Sequence, residues 1–120
     1  MAVNSSKRQY VCPWCIGGTA KLFEWVANTT AGIFPYLLRR SNESGGGDLD
    51  DPETAPLAGS WAGDNIALVG DYDESKEFQL AFEEYENISP ALAEEMNVLL
   101  GHVDLNLRVG LCGSCDPESS

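Results

Sequence analysis

Gln9-Tyr10-Val11-Cys12-Pro13-Trp14-Cys15 is the stretch on which the fold turns. A short strand-forming run leads straight into a C-x-x-C. The same arrangement returns near the other end. There Val103, Leu105, Leu107, Val109 and Leu111 alternate with Asp104, Asn106, Arg108 and Gly110, and then comes Cys112-Gly113-Ser114-Cys115. Strict alternation predicts a half-buried strand over 103–111. A C-x-x-C lets two thiolates hold one ion from a tight turn, and two such turns supply the four thiolates of a tetrahedral zinc site. With the strand at 9–11 beside the strand at 103–111, both knuckles meet at one end of a sheet. The expected metal ligands are therefore Cys12, Cys15, Cys112 and Cys115, around one structural Zn²⁺ per chain.

Ninety-six residues separate Cys15 from Cys112, far more than in a compact zinc finger. Closing a loop of ~100 residues costs about 4–5 kcal/mol in the chain-entropy model. Structural zinc contributes roughly 10–16 kcal/mol in finger peptides, so the metal can outweigh the gap. Disulfides are one alternative; four cysteines allow three connectivities, and an oxidising compartment would be needed. Thiol redox chemistry is another, because Cys-Pro-Trp-Cys looks like the Cys-Pro-Tyr-Cys of glutaredoxins. That chemistry places its first cysteine at a helix N-terminus. Here Gly17-Gly18 follow at once. Each glycine costs about 1 kcal/mol inside a helix, whereas a metal knuckle accommodates open backbone angles. The second pair runs into Asp116-Pro117 with no helix behind it. These points weigh toward structural zinc in a reducing, cytoplasmic setting and away from an enzyme. A C-x-x-C thiol–disulfide oxidoreductase is the rival.

Tyr10-Val11-Cys12-Pro13-Trp14-Cys15-Ile16 is similar to a segment of the CbrC-like colicin-tolerance family. Members carry a Cys-Pro-Trp-Cys-Ile run followed by small residues and an aromatic, places that Ala20 and Phe23 can take. The resemblance covers residues 10–16 and implies metal binding by Cys12 and Cys15. In that family other paired cysteines precede the run; here the second pair follows it.

The fold class expected is α+β, a single domain over 1–120 with a small sheet and three or four helices. Residues 1–8 are polar and read as a flexible lead-in. Thr19 caps an expected helix over 20–27, with Leu22, Phe23, Val26 and Ala27 facing inward. Ile33 to Arg40 is apolar with Pro35 inside, and its state stays open. Residues 41–59 hold Gly45-Gly46-Gly47, then Asp48, Asp50, Asp51 and Glu53, with Pro52 and Pro56, the clearest loop in the chain. Ile66 to Val69 predicts a strand. Phe78, Ala81, Phe82 and Tyr85 form the stripe of a helix from about Glu74 to Glu86, capped by Asp73 or Ser75. Ser89-Pro90 starts another, with the serine hydroxyl as cap and Leu92, Met96, Leu99 and Leu100 as the stripe. Gly101 ends it.

Nineteen acidic residues stand against seven Lys and Arg, a net charge of −12. Residues 1–47 carry +3 and residues 48–120 carry −15. Such a surface repels nucleic acid and anionic lipid, so direct nucleic-acid binding is not expected. No apolar run approaches the ~20 residues of a membrane span, and Met1–Tyr10 has no apolar signal-peptide core. A basic protein partner fits, as does a role as an inhibitor or immunity-type protein, the acids at 71–95 and the 48–53 loop meeting that partner. Solubility or high-salt adaptation alone is the competing account of the acidity.

Other constellations have plainer explanations. His102, the only histidine, sits at a helix end, where an imidazole commonly meets free carbonyls. Asp71-x-Asp73-x-Ser75 opens like a calcium loop, but Lys76 and Phe82 stand where Gly and Glu are required. Asn4, Asn28, Asn42 and Asn87 lie in N-x-Ser/Thr sequons, which mean little without a signal peptide. Trp61 is expected to be partly buried.

Overall fold

The computed structural model describes residues 1–17, 25, 29–39, 55–70, 76–100, 107–113 and 115. Extended backbone is favoured by Val3, Tyr10 and Val11. They lie in a hairpin of β1 (Ala2–Asn4) and β2 (Gln9–Val11), antiparallel, with Val3 opposite Tyr10. Arg8 closes its turn with φ 57. Asn4 holds the turn from inside: its Oδ1 accepts from the Lys7 amide at 2.9 Å and its Nδ2 donates to Asp64 at 2.9 Å. Lys7 also pairs with Asp64. Those two donors, Lys7 first, hold the Asp64 carboxyl below the usual carboxylate range.

On the far side of β1 lies β3 (Ile66–Leu68), antiparallel, with Val3 opposite Ala67. On the far side of β2 lies β4 (Glu86–Asn87), parallel. The order β3-β1-β2-β4 puts the first residues of the chain in the middle of a mixed sheet. Residues 1–8 are therefore not a flexible lead-in. Met1, Ala2, Val3 and Asn4 are buried, and the Met1 amino group donates to Val69 O at 2.7 Å.

Pleating splits the core in two. Ala2 and Val11 face a larger cluster built from a 3₁₀ turn (Thr29–Gly32), α1 (Ile33–Leu38) and α3 (Ser89–Leu100). Pro35 sits in the first turn of α1, where its missing N–H would have no intrahelical partner. Leu92, Ala93 and Met96 recur at helical spacing on α3 and are fully buried. Burying side chains like Leu92 and Met96 is worth about 1.5–3 kcal/mol each. Trp25 and Trp61 are wholly enclosed, with Nε1 donating to Thr30 and Gln9, each at 2.8 Å. Trp61 is thus more buried than its sequence neighbours suggest.

The other face carries Val3 and Tyr10. With Met1, Val69 and Ala81 of α2 (Glu77–Glu84), they surround Cys12, Cys15 and Cys112. Helix α2 begins after Lys76, whose φ of 63 marks a left-handed residue with no side-chain cap.

The expected α+β class holds, with three α-helices and four short strands among the described residues. The expected strand over 103–111 does not: residues 107–111 form no strand, and 103–106 lie outside the described residues. The neighbours of β2 are β1 and β4. Alternation alone could not reveal that a hairpin partner already occupied that edge. The helix expected over 20–27 (apart from Trp25), the capping residues Asp73 and Ser75, and residues 41–54 of the expected loop lie outside the described residues. Residues 55–59 form turns tied to α1, with the Gly59 amide donating to Tyr36 O at 2.7 Å. At Gly59, φ is +72 and a Cβ would lie 2.7 Å from Arg39 O, so glycine is required there.

Candidate metal centre

Cys12 follows β2 directly, and β2's alternation puts it on the face shared by Tyr10. Residues 13–17 then turn rather than enter a helix. The Cys15 amide donates to Cys12 O at 3.2 Å and the Gly17 amide to Trp14 O at 3.3 Å. Gly17 has φ +89, a left-handed backbone that favours glycine, so this turn needs it for its conformation. The second turn copies the first: the Cys115 amide donates to Cys112 O at 3.1 Å.

The two turns meet. The Sγ atoms of Cys12, Cys15, Cys112 and Cys115 all lie within 4.8 Å of one another. Cys12 and Cys112, a hundred residues apart, have their sulfurs 3.8 Å apart. A tetrahedral zinc with bonds of about 2.3 Å requires sulfurs about 3.8 Å apart, whereas a disulfide requires about 2.05 Å. All four are free thiols. The residues present therefore fit a tetrahedral metal ion, and a metal would draw the remaining sulfurs inward by fractions of an ångström. Cys15 is 0 %, Cys12 6 % and Cys112 9 % exposed, while Cys115 is the most open of the four.

What brings the second turn here is not a strand ladder. Asn97 on α3 reaches across to Leu107, its Oδ1 accepting from the amide at 2.7 Å and its Nδ2 donating to the carbonyl at 2.8 Å. One carboxamide thus satisfies the two backbone groups that a neighbouring strand would. Arg108 then joins the turns: its amide donates to Ile16 O at 3.2 Å, and its guanidinium to Cys15 O at 3.4 Å and Leu111 O at 3.2 Å. Its positive charge also opposes the −2 that four thiolates and a divalent ion would carry.

Further donors serve the sulfurs and the first turn. Asn87 Nδ2 reaches Cys15 Sγ at 3.6 Å and the Cys112 amide reaches it at 3.3 Å. The Ser89 hydroxyl, expected to cap α3, instead accepts from the Cys12 amide at 2.8 Å. The Ser89 amide is satisfied by Asn87 Oδ1 at 3.0 Å. The parallel pairing of β2 with β4 creates this support, since it lays Asn87, Ile88 and Ser89 alongside Tyr10, Val11 and Cys12.

These contacts divide the thiols. Hydrogen bonding from Cys12, then from the Cys112 amide and Asn87, lowers the Cys15 thiol to about 5 against the effect of burial. Cys12 is pushed up, first by that same bond to Cys15 and then by burial. Burial, followed by bonds to Cys112 and Cys15, raises Cys115 to about 12. Burial, and then the neighbouring Cys115 thiol, pushes the Tyr10 hydroxyl up as well. Like charges this close cannot all form without a cation, and a bound metal ion would supply one as the protons leave.

Of the other sequence candidates, His102, Asp71, Asp73, Ser75 and the acids at 48–53 lie outside the described residues. Ser89, Asn87, Asn97 and Arg108 were not foreseen as parts of the site. Asn87-Ile88-Ser89 reads as a sequon and a helix start, and Arg108 as the polar side of a strand. Only their placement in space shows the role. Compared with known proteins, the chain matches no family model, no curated protein and no solved structure.

Proposed function

We propose that the chain is a small acidic protein-binding module, stapled by one structural Zn²⁺ on Cys12, Cys15, Cys112 and Cys115, that acts on a basic protein partner in the manner of an inhibitor or immunity protein. The observation that carries the metal reading is the convergence of four sulfurs within 4.8 Å from two turns distant in sequence. Three of the four sulfurs sit in the closed core, which suits a structural site better than a catalytic one. Residues 13–17 turn instead of entering a helix, so Cys12 lacks the helix N-terminus that activates a redox thiol. A reducing cytoplasm would keep the four thiols available. The partner reading is supported by the charge of −15 over residues 48–120. Among the described residues, no helix is long and apolar enough to cross a membrane.

Metal analysis with a thiol count on purified, untreated protein tests the staple. The expected result is one zinc per chain, with four thiols that react only after chelation and with loss of folded structure when the metal is removed. Absence of metal, two disulfides, or a freely reactive Cys12 would overturn it. The last would favour thiol–disulfide exchange.

A further inference from the structure

Helix α2 lies beside the cysteine centre and is lightly anchored. Ala81 is its only fully buried residue, with Phe78 and Tyr85 half-buried on either side. Phe82, 37 % exposed, stacks on Phe78 with ring centres 6.4 Å apart and leans on Tyr10 at the same distance. Leu80, 45 % exposed, points outward among the exposed Glu83 and Glu84. Glu86, exposed on β4, continues the acidic rim.

The chain itself shows what this surface accepts. The Arg8 guanidinium lies over the Tyr85 ring, 5.5 Å from its centre, and donates to Glu84 Oε2 at 3.3 Å. Ring and carboxylate together make a cradle for an arginine. Glu83 and Glu86 are exposed, and among the described residues no cation is paired with either.

We propose that α2 is the docking surface for an arginine-bearing amphipathic segment of the partner protein. An apolar side chain of that segment covers Leu80 or Phe82, and its arginines pair with Glu83, Glu84 and Glu86 as Arg8 already does with Glu84. Charge selects this occupant. Nucleic acid and an anionic bilayer are repelled, and so is a second copy of a chain of net charge −12. The inference rests on the protein-binding reading above and adds its place and chemistry.

The test uses the full zinc-loaded chain and a fluorescein-labelled peptide alternating arginine and leucine, read by anisotropy at low ionic strength and by backbone amide shifts. Binding is expected, with shifts at Arg8 and along residues 77–86. It should weaken about three- to tenfold in Glu83→Gln/Glu86→Gln, which alters only exposed side chains, and comparably in Phe82→Ala. Undiminished binding in the glutamine variant, with shifts elsewhere, would overturn this surface while leaving a basic partner in place. Equal binding of a peptide alternating lysine and serine would overturn the ring-and-arginine chemistry. No binding of either peptide would overturn both this surface and the basic-partner reading.

Discussion

Ser89 shows how much one hydroxyl can carry. It stands where a helix cap is expected, yet its oxygen is given to the buried amide of Cys12 at 2.8 Å. Replacing Ser89 with alanine leaves that amide without an acceptor, which costs about 1–3 kcal/mol for a buried group. The amide also fixes the backbone from which the Cys12 sulfur projects. Loss of such outer support typically weakens metal affinity about 10–100-fold. We therefore expect Ser89→Ala to lower both the urea midpoint and the zinc affinity measured against a competing chelator. An unchanged affinity would mean that the first knuckle holds its shape alone. Sequence reading found the four sulfurs because C-x-x-C is a local pattern. It could not find Ser89, Asn87 or Arg108, whose part in the site comes from chain segments that meet only in the fold.

At the scale of elements, helices α2 and α3 were legible from their apolar spacing, and β3 from its short apolar run ending at a glycine. The middle strand was not. Ala2-Val3-Asn4 is too short and too mixed to signal a strand, and its burial follows from β2 and β3 pairing on both its sides. The segment at 107–111 failed in the opposite sense: it has a strand's pattern but is held by a side chain, Asn97. That difference is testable. Asn97→Ala removes both bonds to Leu107 and leaves the helix intact, since alanine is the better helix former. The expected loss is about 1–3 kcal/mol, with faster metal release as the second knuckle loosens. A true strand over this segment would instead leave the release rate unaffected.

For the molecule as a whole, stability should fall on the alkaline side. Tyr36 is buried and donates to Glu95 at 2.6 Å; burial first, then that bond and the carboxylate's charge, push its ionisation above the ordinary value. Unfolded tyrosine ionises near pH 10. Above that pH the unfolded chain releases a proton that the folded chain keeps. The stabilisation is therefore complete below about pH 10 and is lost as pH rises toward the folded value. The urea midpoint should decline from about pH 10 upward, and Tyr36→Phe should flatten the decline. A wild-type midpoint that stays level through that range would remove the argument.

The separation of the two cysteine pairs has a consequence during synthesis. Cys15 leaves the ribosome roughly 5–20 s before Cys112, given the usual elongation rates. Throughout that interval the nascent chain owns half a coordination sphere, while the strands that flank the hairpin, at 66–68 and 86–87, are being made. An ion caught early has two sulfurs and no tetrahedron, so the centre can close only once residues 112 and 115 have been made. A chain truncated by a premature stop before Cys112 stays open for proteases. A metal held on these four sulfurs would thus act as a seal, applied only after residues 112–115 have been translated.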